Sequence, residues 1–309
     1  MNQLYRLLHT PPACLIKTLA GWKETYAIAL RPVPTAPGCD PLPALGQGRY
    51  TCLPGTPGHW YTDPQLFARA GERWLFFEDF DLAANKGAIA ALPLPADGRP
   101  GELRTLLTGE SHLTFPTVFE WNGEVWLIPG TGEDRTLCLY RCRRFPDDWE
   151  LARSFPVGME LAGTILLDAA PEALTLLSAQ RQPEGGPAAR LRRFTLRPDP
   201  AAEGGFALEE DEPFGLEHRA CGLDVCNAGP LFCGGGQQIR PARGGTRAQE
   251  DAYLQFCARR DGRETPLCAA TPRNIEVEGV DPSALLGIRS YCRDGQLEVL
   301  GIRCLARPR

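Results

Sequence analysis

The 309-residue sequence has no uninterrupted apolar stretch approaching the roughly 18 residues that a membrane-crossing helix needs, so no membrane span is expected. Its N-terminus makes a poor signal peptide, because Pro11-Pro12 and Lys17 break the apolar run. Among 12 cysteines there is no C-x-x-C pair, the tightest pairs being Cys138/Cys142 and Cys221/Cys226. These spacings do not support a disulfide framework or a zinc site, and no metal-ligand set is read. Cys138, Cys233 and Cys257 fall within apolar strands, where a free thiol packs as a small hydrophobe. Buried free thiols are therefore expected, and with them a cytoplasmic location. G-x-G-x-x-G, G-x-S-x-G, P-loop and H-E-x-x-H motifs are all missing, and no cofactor is expected. A net charge of -5 argues against nucleic acid as a partner. The arginine clusters Arg141, Arg143, Arg144 and Arg190, Arg192, Arg193 read as solvated strand faces.

What the chain does contain is a repeated apolar hairpin. Pro64-Gln65-Leu66-Phe67, a gap with Gly71, and Arg73-Trp74-Leu75-Phe76-Phe77-Glu78 form the first instance. Pro116-Thr117-Val118-Phe119, a gap with Gly123, and Glu124-Val125-Trp126-Leu127-Ile128-Pro129 form the second. Weaker copies run Thr164–Leu167 into Leu174–Leu177, Gly229–Phe232 into Gln238–Pro241, and Leu286–Ile288 into Leu297–Leu300. Their spacing of roughly 50 to 65 residues lies in the period range of propellers and arrays. Further strands follow at 87–94 and 103–107, at 136–141 and 151–155, at 190–196 and at 252–257. Four short antiparallel strands per unit make a propeller blade. The expected fold is an all-β, five-bladed β-propeller.

The fifth blade runs out of chain after Leu286. The strand-like stretch Glu24–Arg31 is the donor that would complete it, closing the ring with N- and C-terminal strands and removing exposed edges. On this reading residues 23–309 are the propeller and 1–22 an N-terminal extension, either a helix or a linker. Gly234-Gly235-Gly236 is read as a hairpin turn, and the segments near 183–188, 199–205 and 242–250 as surface loops.

In a propeller the innermost strands converge on a central funnel, so functional side chains are expected near the start of the first strand of each blade. Blade one offers Trp60-Tyr61-Thr62-Asp63-Pro64, an acid beside aromatic rings that could stack on a pyranose; Asp63 could equally cap a turn before Pro64. Blade two offers His112, followed by Glu120. Glu78 and Asp79 end the second strand of blade one, at the rim or in a solvated loop beside Lys86.

These residues also carry a resemblance. Trp60–Pro64, Phe76-Phe77-Glu78, Lys86-Gly87, His112–Glu120, Leu139-Tyr140-Arg141 and Phe145-Pro146-Asp147-Asp148-Trp149 resemble the N-terminal domain of glucosamine inositolphosphorylceramide transferase and its bacterial relatives. Some of those relatives are fused to sugar formyltransferase-like domains. The likeness is strong over about 55–150 and weaker from Asn227 to the end. More distantly, Thr62-Asp63-Pro64 is similar to the first-blade motif of glycoside hydrolases of family 43, where the matching Asp is the general base. By that analogy Asp63 activates water and Glu78 or Glu120 protonates the leaving oxygen, two groups that inverting enzymes hold about 6.5–9.5 Å apart.

The chain also departs from the family pattern. Pro129-Gly130 stands where Pro-Glu is expected, Ala162 where the blade-three acid is expected before Thr164, and Arg240-Pro241-Ala242-Arg243 where Arg-Pro-x-Gln is expected. Gly287-Ile288-Arg289-Ser290-Tyr291-Cys292 replaces Gly-Ile-His-Thr-Tyr-Asn. Carboxylates are lost and arginines gained around the funnel, which favours an anionic ligand, since guanidinium pairs bidentately with carboxylate or phosphate. Trp60, His112, Arg240, Arg243 and Arg289 are the expected ligand-binding residues, with Asp63, Glu78 and Glu120 as the acid–base candidates. The expected function is a carbohydrate-active propeller that binds, and could process, a glycan or sugar conjugate. The alternative is a non-catalytic scaffold or an accessory to a sugar-modifying partner enzyme.

Overall fold

A computed structural model describes residues 12–34, 45–95, 99–132, 134–180, 190–211, 226–246, 249–260 and 262–307. Its described strands form five sheets arranged as the blades of a propeller. Blade one runs His59–Arg69, Glu72–Asp81, Lys86–Pro93, Arg104–Leu107, in spatial as in sequence order. Blade two is Thr114–Trp121, Glu124–Gly130, Thr136–Arg144, Asp148–Pro156, and blade three Leu161–Ala170, Ala173–Gln180, Arg190–Pro198, Phe206–Glu210. Blade four pairs two short inner pieces, Cys226–Asn227 and Phe232–Gly234, with Gln237–Thr246, then adds Gln249–Arg260 and Arg263–Ala270.

The fifth blade is closed as expected. The inner strand Leu285–Arg293 pairs with Leu297–Ala306, which pairs antiparallel with Lys23–Pro32 over ten positions, from Lys23↔Ala306 to Pro32↔Leu297. Two short strands that carry no sequence signal complete its outer edge, Arg49–Cys52 and, parallel to it, Glu276–Val277. Pro12–Leu19 is helical. Among the described residues no helix is long and apolar enough to cross a membrane.

The apolar runs of the second strands follow from this geometry. A strand between two blades has its alternate side chains in two different seams. Leu75 and Phe77 pack against Ile28, Leu297 and Val299 of blade five, whereas Trp74 and Phe76 pack against Val118, Val125 and Leu127 of blade two. Both faces are dry, so Trp74-Leu75-Phe76-Phe77 reads as continuous hydrophobicity rather than alternation.

Neighbouring inner strands splay around the axis and are stitched by polar side chains. Gln65 Nε2 donates to the Val118 carbonyl at 2.7 Å and Gln65 Oε1 accepts from Val118 N–H at 2.9 Å, joining blades one and two. The Thr117 hydroxyl donates to the Thr164 carbonyl across the next seam. Asn227 Nδ2 donates to the carbonyls of Gly163 and Leu177 at 2.7 and 2.9 Å, and Tyr291 N–H donates to the Ala228 carbonyl at 2.7 Å.

Three sequence readings need correction or placement. The stretch near 242–250 is not a surface loop: strand pairing continues through Gly244↔Tyr253 to Thr246↔Gln249. Gly244 serves close approach there, since a Cβ would lie 2.2 Å from the Tyr253 hydroxyl. The turn reading does hold at Gly235 and Gly236, whose φ values of 59° and 72° suit the two central positions of a tight hairpin. Cys233 is exposed rather than buried, because its strand is a three-residue inner fragment; Cys257 is buried and Cys138 half-buried, and all are free thiols. The predicted loop at 183–188 lies outside the described residues.

Candidate functional site

The inner strands of blades one, two and three begin with the same backbone device. Asp63, Phe115 and Gly163 have φ of 50°, 43° and 59°, each inside a register shift (Thr62/Gln65, Thr114/Thr117, Ala162/Ile165). Left-handed backbone is costly for a non-glycine residue, and more so before proline, as at Asp63 and Phe115. Such strain persists only where the surroundings over-determine it, and at Asp63 they do.

Asp63 is buried, its side chain only 1 % exposed. Arg289 Nε donates to Asp63 Oδ1 at 3.2 Å and its Nη2 to Oδ2 at 3.4 Å, while Arg243 Nη1 lies 3.8 Å from Oδ1. Burial pushes the Asp63 carboxyl up, but the two guanidiniums and their hydrogen bonds outweigh it and hold the group below the usual carboxylate range. Glu78, side chain 3 % exposed, goes the other way. Burial first, and then the negative Asp63, push its carboxyl up to about 7.

One hydroxyl joins the two acids. Thr114 Oγ1 lies 3.1 Å from Asp63 Oδ2 and is also hydrogen-bonded to Glu78 Oε2. A hydroxyl carries a single proton, so it cannot donate to both. The opposed shifts favour one order: when Glu78 carries its proton it donates to Thr114, and Thr114 donates to ionised Asp63. The two carboxylates therefore approach within two hydrogen-bond lengths, about 6 Å at most.

His112 extends this chain outward. Gly87 N–H donates to His112 Nδ1 at 2.9 Å, which puts the neutral imidazole's proton on Nε2, 3.5 Å from Glu78 Oε1. Gly87 is required for this approach, because a Cβ there would come within 2.7 Å of His112 Cε1 and 2.6 Å of the Leu113 carbonyl. An arc of half-buried aromatic rings lies beside the acids. Tyr26 meets Trp60 edge-on at 4.9 Å, Trp60 stacks on Phe80 at 4.5 Å, and Phe80 meets His112 at 5.6 Å. The Arg289 guanidinium lies 5.6 Å over Tyr26.

The structure thus gathers Trp60, Asp63, Glu78, His112, Arg243 and Arg289 from blades one, two, four and five. It does not bring in the other two expected residues. Glu120 is exposed beside the turn at the far end of the blade-two inner strand, six residues or about 20 Å along the chain from Thr114. Arg240 is fully buried inside blade four, its Nε and Nη2 donating to Glu264 at 2.8 and 2.7 Å and its Nη1 to Asn227 at 2.9 Å. That guanidinium is committed to holding strands together. Thr114 and Tyr26 are the contributors that sequence reasoning missed. Thr114 had a signal, a hydroxyl two residues after His112 at the start of an inner strand.

Thr62 pairs with Glu78, Thr114 with Gly130 and Ala162 with Ala179, so Glu78, Gly130 and Ala179 are counterparts on the second strands of successive blades, and of these three only blade one keeps an acid. Ala162, where the blade-three acid was expected, lies on the first strand with Thr62 and Thr114 as its counterparts. Among the described residues no group of three or more His, Cys, Asp or Glu is arranged to hold a metal.

The architecture is that of a five-bladed β-propeller. The fold matches the GH43_1 enzyme from Xanthomonas citri complexed with xylotriose, with a TM-score of 0.51 and 12 % identity over 81 % of this chain and 87 % of that one. It also matches the RS223 beta-xylosidase, with a TM-score of 0.53 and 11 % identity over 79 % of this chain and 93 % of that one. Residues 49–172 match the family described as Glucosamine inositolphosphorylceramide transferase 1, N-terminal, as the resemblance in the sequence implied. The Arabidopsis thaliana protein of that name is 34 % identical over 100 residues, and that of Oryza sativa subsp. indica 29 % over 100 residues. Each alignment covers 32 % of this chain and only 13 % of the relative.

Proposed function

We propose that the funnel mouth binds a sugar or glycan bearing an acidic group, with Arg289 and His112 as its polar contacts and Trp60 as part of an apolar platform. The exposures carry this reading. Asp63 and Glu78 are 1 % and 3 % exposed, whereas Arg289 and His112 are 23 % and 42 % exposed. A ligand arriving from solvent therefore meets guanidinium and imidazole, with the carboxylates behind them as their supports. Two guanidiniums face the ionised Asp63, and Glu78, pushed up to about 7, is only partly ionised near neutrality, so the residual positive charge favours an anion. The sugar-related neighbours and relatives support the ligand class.

A second reading, processing of the bound glycan, has one specific support: two carboxyl groups of opposite protonation on one hydroxyl. Both groups are buried behind Arg289 and His112, which favours support of those side chains over direct contact with a glycan. We infer that binding is the primary role and that the propeller presents glycan to a sugar-modifying partner enzyme. The free thiols fit a reducing compartment such as the cytoplasm.

The test is a thermal-shift and calorimetric panel of glucuronic acid, glucosamine 6-phosphate, nucleotide sugars and neutral glucose. Acidic sugars are expected to stabilise the protein and glucose not. Arg289→Lys, which keeps the charge but loses the planar fork, is expected to weaken acidic-sugar binding about tenfold. Silence across the panel overturns the sugar-site reading, and turnover abolished by Asp63→Asn would promote the processing role.

A further inference from the structure

Tyr26 reaches the funnel mouth from the N-terminal strand, where it lies opposite Arg303 in the ladder that closes the ring. Its ring is fixed edge-on against Trp60 and beneath Arg289. The charged groups around its phenol are satisfied by one another. Arg289 holds Asp63, while Arg303 holds Asp251 at 2.8 Å and Glu24 at 3.4 Å. The Tyr26 hydroxyl has no hydrogen-bond partner among the described residues. The Tyr50, Tyr61 and Tyr291 hydroxyls bond to Glu298, Thr56 and Glu298 respectively; Tyr140 and Tyr253 share the open hydroxyl, but it is Tyr26 whose ring sits against Trp60 and Arg289. Burial holds the Tyr26 phenol above its ordinary range, so it is a neutral donor. A half-buried ring with a polar tip and no internal partner is the form of side chain that an amphipathic ligand completes.

We propose that Tyr26 is a ligand-contacting residue, its hydroxyl hydrogen-bonding the sugar whose acidic group Arg289 holds. This rests on the acidic-sugar reading above. It carries a consequence that the other site residues do not share. Tyr26 is in place only when Lys23–Pro32 is paired with Leu297–Ala306, so ligand binds the closed ring more tightly than the opened one. Occupancy then suppresses opening of that strand by mass action.

The experiment uses glucuronic acid as probe with wild type and Tyr26→Phe, reading affinity by calorimetry and amide exchange of residues 23–32 by mass spectrometry. Tyr26→Phe keeps the ring and is expected to keep the melting temperature within a degree or two. It is expected to bind about five- to tenfold more weakly, the worth of one hydrogen bond. In wild type, saturating glucuronic acid is expected to slow exchange of the 23–32 amides. Tyr26→Phe binding as tightly as wild type, with exchange of 23–32 indifferent to ligand, overturns this inference alone. If wild type binds neither glucuronic acid nor glucosamine 6-phosphate, the acidic-sugar reading falls and this inference with it.

Discussion

Two of the buried ionic clusters in the described propeller combine carboxylates with arginines and hydroxyls, and they differ in whether they close on themselves. In the closing blade Glu298 is 1 % exposed and accepts from Arg31 Nε at 2.9 Å, from Tyr50 at 3.1 Å and from Tyr291 at 3.0 Å, with Arg293 at 3.9 Å. Arg31 also lies 4.3 Å over the Tyr50 ring. These bonds tie the N-terminal strand to the C-terminal hairpin, and both Glu298 oxygens are engaged. At the funnel mouth, Asp63 and Glu78 face two arginines but share one hydroxyl, and Arg289 and His112 keep part of their surface in solvent. The closed cluster holds the ring together. The other leaves a guanidinium and an imidazole partly in solvent, the arrangement on which the proposed ligand site rests.

The comparison can be broken by mutating each cluster. Glu298→Ala strands Arg31 and Arg293 in a dry seam with two phenols, and a loss of about 3–5 kcal/mol is expected. Asp63→Asn keeps a side chain that tolerates left-handed backbone, and Arg289 can turn toward water, so a loss of about 2 kcal/mol is expected. Urea denaturation with unchanged m-values measures both. A greater loss for Asp63→Asn than for Glu298→Ala would mean that the funnel cluster is the structural one.

The same contrast predicts a pH dependence confined to the mouth. Glu78 is held at about 7 in the fold against 4.5 ordinarily, so between these values the folded chain binds a proton that the unfolded chain has lost. Stability from Glu78 therefore falls as pH rises through that window, by about 3 kcal/mol in all, and levels off above it. Asp63, held below its ordinary range, acts in the opposite sense, and its contribution is lost only as pH falls through the carboxylate range. Glu78→Gln, a neutral isostere, should match wild type near pH 5 and exceed it near pH 8 in urea midpoint. Parallel wild-type and Glu78→Gln profiles would show Glu78 ionised and the proton count at Thr114 wrong.

Much of this was legible before any coordinates. The five hairpins gave the blade count, and the shortage of strands after Leu286 pointed to Glu24–Arg31 as the closing donor. Arg49–Cys52 and Glu276–Val277 were not legible, being too short to show a period. The site was half legible. Asp63, Glu78, His112 and Arg289 stand in recognisable strand positions, but a one-residue register change reverses a side chain's face, and bulges at Thr62/Gln65 and Ile288/Ser290 set those faces here. The same uncertainty explains Arg240 and Glu120. The family resemblance and the blade positions mark both as funnel candidates, yet one points into blade four toward Glu264 and the other lies at the wrong end of its strand.

The smallest expected effect tests how firmly the mouth is built. His112 Nδ1 accepts from the backbone N–H of Gly87, in the strand Lys86–Pro93. Gly87→Ala places a methyl group against both the imidazole and the Leu113 carbonyl. Overpacking of this kind is expected to cost about 1–2 kcal/mol. The local consequence is more specific: the ring must move off Gly87, and Nδ1 loses the donor that fixes the tautomer. Imidazole nitrogen shifts should report a single Nε2–H form in wild type and a mixture in Gly87→Ala, with acidic-sugar affinity lowered a few-fold. A single Nε2–H form surviving in the variant would show that Glu78, and not Gly87, sets the histidine. The blade-one and blade-two sides of the mouth would then be coupled through the carboxyl alone.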